Sequence, residues 1–155
     1  MIDWDRFYQW LESRSVELPA YEPGDPVSLS EVASVMVKVQ NSRSDLDAAA
    51  RKLDQKIGLE KRNIHVWQER RRMVRLDAKR SDEVRRLSRR EDRDAAVETA
   101  SQGEDARIAV AKARVEELEA ARKSIQAMVA TLETAKQTLN ALKQVGLADP
   151  SAQTL

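Results

Sequence analysis

The stretch from Leu29 to Arg93 constrains the fold more than any other part of the chain. Ser28 and Glu31 form a capping box, with Ser30 a second candidate N-cap, and from there the residues read as one very long helix. Val32, Val35, Met36, Val39, Leu46, Ala49, Leu53, Ile57, Ile64 and Trp67 recur mostly three, four or seven residues apart, which is the spacing of a coiled-coil seam. The seam has a weak patch at Asn41 to Ser44, where a break is conceivable. Gly58 inside it costs roughly 1 kcal/mol relative to alanine, and its missing side chain would let another helix approach closely.

Composition leaves few alternatives to helix. Aromatic residues make up 4% of the 155 residues and charged residues 34%, so a compact bulky core is excluded and the core must be a seam. Only four glycines and four prolines interrupt the chain. An all-α fold follows.

A return arm is legible after the long helix. Ser101 and Glu104 form a second capping box, Gly103 could relieve a bend, and Glu104 with Asp105 puts negative charge where a helix N-terminus favours it. The turn is therefore expected near residues 99–104. Beyond it Leu118, Ala121, Ile125, Met128, Leu132, Ala135, Leu139 and Leu142 alternate three and four, preceded by Ile108, Ala111 and Val115 one residue out of register. Gly146 falls where a C′ glycine belongs and Pro150 stops the helix, leaving 147–155 as a loose tail.

With the reversal near residue 101, Leu142 would lie by Glu60 and Leu118 by Val84. The outgoing arm would then be roughly 100 Å long against roughly 60 Å for the return, at about 1.5 Å per residue. The apolar positions Val32, Val35, Met36, Val39, Leu46, Leu53 and Ile57 would have no partner within the hairpin. That surplus predicts a homo-oligomer or a partner helix.

The N-terminal 16 residues form a separate piece. Trp4, Phe7, Tyr8 and Leu11 fall at i, i+3, i+4 and i+7, so a short amphipathic helix is expected with Asp3 as N-cap. This helix would pack on the long hairpin, or serve as a docking or base-stacking surface. Pro19, Pro23, Gly24 and Pro26 make residues 17–28 an extended linker, and the hairpin proper occupies 29–146.

Charge is distributed in blocks. Residues 1–60 carry 7 Lys/Arg against 11 Asp/Glu, residues 61–93 carry 13 against 6, and residues 94–155 carry 7 against 9. A near-neutral chain with a basic middle points to one local binding surface. Its members are Arg70, Arg71, Arg72, Arg75, Lys79, Arg80, Arg85, Arg86, Arg89, Arg90 and Arg93. Arginine grips phosphate bidentately and stacks on bases, so nucleic acid is the natural partner, while the bland alternative is a solvated face of i,i+4 ion pairs.

No catalytic constellation is present: there is no Gly-rich phosphate loop, no His-x-x-x-His and no nucleophile elbow, and a non-enzymatic role without catalytic residues is expected. The absence of cysteine and the single His65 argue against a metal centre or other cofactor. No apolar run reaches the length of a membrane span, and the N-terminus lacks a basic leader region, so a cytoplasmic protein of a bacterial or phage-infected cell is expected.

The close Leu139-Asn140-Ala141-Leu142-Lys143-Gln144-Val145-Gly146, following a long basic helix and a polar break, resembles the Leu-x-Ala-Ile-Lys-x-x-Gly ending of the UvsY family of phage recombination mediators. The resemblance spans residues 30–146. It implies a ring-like homo-oligomer that carries single-stranded DNA on the Arg70 to Arg93 face and loads a recombinase. The Trp-rich N-terminus, the Pro linker and the longer return helix depart from that pattern. The competing expectation is a structural or chaperone coiled coil of a phage particle or bacterial export apparatus.

Overall fold

The computed structural model describes residues 1–22 and 25–148. The expectations for Pro23, Gly24, Pro150 and the tail beyond Ala148 lie outside the described residues. Five helices follow one another: α1 (Trp4–Glu12), α2 (Leu29–Arg80), α3 (Asp82–Arg85), α4 (Arg90–Ala100) and α5 (Gln102–Ala148). Helix accounts for 84% of the described residues and none of them is in a strand, so the fold is an all-α helical hairpin. It comprises two compact units, one of Asp54–Glu119 and one of Ile2–Leu53 with the chain from Ala120.

In the second unit the early turns of α2 are covered by the late turns of α5. Val32, Val35, Val39, Leu46 and Ala50 form one buried cluster with Ile125, Leu132, Ala135 and Leu139. Leu46 and Leu139 are fully buried. The helix starts as expected at Ser28, whose hydroxyl accepts from the Glu31 amide at 3.3 Å. The reciprocal half of the box is replaced, because Glu31 instead receives the Tyr21 hydroxyl at 3.3 Å. Contrary to the possibility of a break, α2 runs unbroken through Asn41 to Ser44, where Arg43 pairs with Glu133 across to α5.

The linker and α1 close the same core. Asp3 caps α1 by accepting from the Arg6 amide at 3.2 Å. Leu11 is buried, Phe7 and Trp10 pack against the cluster, and Val27 and Tyr21 of the linker join it. Arg14 at the end of α1 is tied to Asp45 of α2.

In the first unit the chain reverses earlier than the sequence suggests. The long helix ends at Arg80, and Ser81 opens α3 by accepting from the Val84 amide at 3.3 Å. The direction changes across residues 86–89, between α3 and α4. The expected turn at 99–104 is only a joint: Ser101 alone separates α4 from α5, and the Asp105 amide still bonds the Ser101 carbonyl at 3.0 Å. The Ser101 hydroxyl makes no N-cap bond to Glu104. It sits fully buried, receives Arg75 Nε at 2.9 Å and lies 3.1 Å from the Asp105 carboxylate.

The register therefore shifts. Glu60 faces Arg114 at 3.7 Å and Lys61 faces Glu119 at 2.8 Å, while Leu142 packs on the core that holds Val32. Hydrophobic burial explains the choice, since each side chain of the early seam that becomes fully buried contributes about 1.5–3 kcal/mol. A reversal near residue 101 would leave that seam bare. Val32, Val35, Met36, Val39, Leu46 and Leu53, expected to await another chain, are thus buried or partly buried in a core that the chain's own α1, linker and α5 complete. Ile57 is only half-buried.

Two glycines also exchange roles. Gly146 lies inside α5, where an added Cβ would stand 2.8 Å from the Leu29 Cδ2 and 3.2 Å from the Val27 Cγ1. Gly58, expected at a close helix approach, has no described atom within 4 Å of such a Cβ.

Candidate nucleic-acid interface

The shifted register divides the eleven candidate cations. Three of them are spent inside the first unit on the start of α5. Arg70 reaches Glu104 at 3.7 Å, Arg71 reaches Asp105 at 2.7 Å, and Arg75 is held by Ser101 and by Asp105 at 3.8 Å. Both acids lie in the first turn of α5, where the helix dipole already favours negative charge. Arg90 pairs locally with Asp94 at 3.8 Å, one turn along α4.

The remaining seven are different. Arg72, Lys79, Arg80, Arg85, Arg86, Arg89 and Arg93 are exposed, and among the described residues none takes part in an ion pair. Five of them, Arg80 to Arg93, fall on the last residue of α2, on α3, on the reversal and on the first turn of α4. Arg89 stands at the N-cap position of α4 without making a side-chain cap bond. The nearby acids Asp82, Glu83, Glu91 and Asp92 occupy the first turns of α3 and α4. Between residues 72 and 93 nine basic residues face five acidic ones, so the excess remains basic.

Two open grooves adjoin these cations. One of about 320 Å³ is lined by Gln68, Arg71, Arg72, Arg75, Leu76 and Lys79 along α2. The other, about 230 Å³, lies where Arg75 and Lys79 meet Asp94, Val97 and Glu98 of α4. Arg75 and Lys79 border both.

A further cluster was not singled out by sequence. Trp67 of α2 carries the Arg107 guanidinium of α5 over its ring at 4.2 Å, with the Arg70 guanidinium at 5.5 Å. Beside it an open cavity of about 380 Å³ also takes in Asn63, Glu60 and Arg114. Arg107 and Arg114 are seven residues apart, as are Glu60 and Trp67, so both pairs repeat after two turns. That match becomes visible only once the register is known.

The N-terminal aromatic residues divide too. Trp4 stacks on Tyr8 with ring centroids 5.6 Å apart, and Tyr8 remains exposed, whereas Phe7 and Leu11 turn into the core. The pKa of Tyr21 is displaced: partial burial, then the Glu31 charge and hydrogen bond, raise it above the ordinary phenol value. His65 is exposed on α2. Among the described residues no group of three or more His, Cys, Asp or Glu is arranged to hold a metal ion, and no helix is long and apolar enough to cross a membrane.

No family model matches the chain, and no curated protein or solved structure matches it either.

Proposed function

We propose that this is a non-enzymatic protein that binds single-stranded nucleic acid through its phosphates, using the cations gathered on the reversal of the hairpin. The observation that carries the reading is the set of seven exposed basic residues, Arg72 to Arg93, without ion pairs among the described residues. A solvated face stabilised by i,i+4 pairs would use its arginines as Arg90 uses Asp94. Six of the seven are arginine, whose planar fork suits phosphate oxygens and whose face stacks on bases. Among the described residues no helix-turn-helix is arranged to read base edges, and the cysteine-free sequence offers no cysteine zinc module, so affinity without sequence preference is expected. Recombination mediation, with a recombinase as protein partner, is one setting for such an activity and is the one that the family resemblance implies.

The test is a mobility-shift titration of an unstructured single strand at about 50 mM salt, with the intact chain and with Arg85→Ala/Arg86→Ala/Arg89→Ala/Arg93→Ala. Binding at micromolar protein, lost in the variant while helix content is unchanged, supports the reading. No shift by the intact chain, or an unaffected variant, overturns it.

A second reading, a self-associating structural coiled coil, is favoured by Leu59, Val66 and Met73 of α2. They are seven residues apart and exposed by 52%, 61% and 54%, a stripe suited to a second copy. Light scattering distinguishes the two: a mass of 17.6 kDa at all concentrations removes self-association without touching nucleic-acid binding.

A further inference from the structure

We infer that the cavity beside Trp67 receives one base of the bound strand, with the indole as stacking platform and Arg107 and Arg114 as its phosphate contacts. The inference rests on the nucleic-acid reading and goes further by naming a base-binding position away from the reversal. Four observations within the first unit carry it.

The first is the aromatic face itself. Trp67 is half-buried; the exposed guanidinium of Arg107, which among the described residues pairs with no carboxylate, rests on its ring at 4.2 Å, while that of Arg70, paired with Glu104, stands farther off at 5.5 Å. A guanidinium stacked on an indole is a planar cation covering a planar π surface, and a base replaces it on that surface in kind. The freed Arg107 then stacks on the outer face of the base or turns to the adjoining phosphate.

The second is the mixture of polar groups. Asn63 makes only a long side-chain hydrogen bond, 3.4 Å to the Glu60 carboxylate, which leaves its carbonyl oxygen and a second N–H to meet a base edge. The third is Glu60, whose carboxylate in the cavity repels a bare anion yet accepts from a base N–H. The cavity is thus suited to a nucleobase and poorly suited to free phosphate. The fourth is Arg114, which lies 3.7 Å from Glu60 with more than half its side chain exposed and can turn outward to the strand. Ala106, Val110 and Ala111 of α5 complete the lining, and the two alanines leave room for a flat ring. At about 380 Å³ the cavity falls near the lower end of the range of small-ligand sites.

The experiment compares a thymidine 12-mer with an abasic strand of equal length and equal phosphate count, using the full chain. The intact strand should bind roughly 5- to 150-fold more tightly, the range expected when one base stacks on an aromatic side chain. In Trp67→Ala that preference should fall to that of the abasic strand, whose own affinity should not change. Trp67→Phe should retain part of the preference, and Arg107→Ala should weaken both strands. In a Trp4→Phe/Trp10→Phe background Trp67 is the sole tryptophan, and its fluorescence should be quenched by the intact strand and not by the abasic one. If Trp67→Ala loses helix content, the Trp67→Phe, Arg107→Ala and fluorescence results decide. Equal binding of the two strands, an undiminished preference in the Trp67 variants, or an unquenched Trp67 overturns the inference while leaving phosphate binding at the reversal standing. Failure of both strands to bind removes the two together.

Discussion

Replacing Gly146 and Gly58 by alanine, one at a time, should have opposite effects on stability. Alanine is favoured over glycine in a helix interior by about 1 kcal/mol. At Gly58 nothing described opposes that gain, because the new methyl meets no atom within 4 Å. At Gly146 the methyl would stand 2.8 Å from Leu29 Cδ2, 3.2 Å from Val27 Cγ1 and 3.3 Å from Val27 Cβ. The Leu29 methyl is the end of a flexible side chain and can rotate away. Val27 is β-branched, buried and fixed by the core, so it must shift, and overpacking of this kind costs about 1–3 kcal/mol. Gly58→Ala should therefore raise the midpoint of thermal unfolding by about 2–4 °C for a chain of this size, and Gly146→Ala should leave it unchanged or lower it by a few degrees. Circular dichroism at 222 nm follows both. If Gly146→Ala stabilised as much as Gly58→Ala, the linker would not lie against α5 and the register described above would be wrong.

Leu46→Ala should cost about 2–5 kcal/mol, read from denaturant unfolding, because Leu46 is fully buried between the two long helices; a cost under about 1 kcal/mol would mean that this seam is not covered. Ser101→Ala removes a buried hydroxyl that receives Arg75, and should cost about 1–3 kcal/mol without abolishing the fold. Since the folded pKa of Tyr21 is raised, the neutral phenol belongs to the folded state: its contribution is fully present below the unfolded value near pH 10 and declines as pH rises through the folded value. Tyr21→Phe should accordingly lose less stability between about pH 9 and 11 than the unmodified chain does.

The helices were largely legible and the register was not. The three-four alternation from Leu118 to Leu142 and the seam from Val32 to Leu53 can only be helical, and Ile125 to Leu142 of the one and Val32 to Leu53 of the other lie in or against the buried cluster. The reversal was misplaced because residues 81–89 contain no glycine or proline, and their arginines, acids and leucine are at home in a helix. A signal was available: Ser81 followed by Asp82 and Glu83 is an N-cap with an acidic first turn, and it does open α3. Gly103 is a stronger local turn signal than anything at 81–89, yet the structure uses it as an ordinary helical residue. What decides the register is the matching of apolar lengths between the two arms, a tertiary effect that local capping does not report. The same shift narrows the candidate site from eleven cations to seven. Arg70, Arg71 and Arg75 meet Glu104 and Asp105 only when α5 begins where it does, and Trp67 meets Arg107 for the same reason.

The proposed neutralisation of a single strand's phosphates by the unpaired cations of the reversal is measured most directly by the salt dependence of affinity. For about six contacts on a single strand the plot of log K against log salt should have a slope near −4, so that affinity falls roughly 300-fold between about 50 and 200 mM. Removing Arg85, Arg86, Arg89 and Arg93 together should reduce that slope by nearly 3. A slope near zero, or one unchanged in the fourfold variant, would contradict the claim.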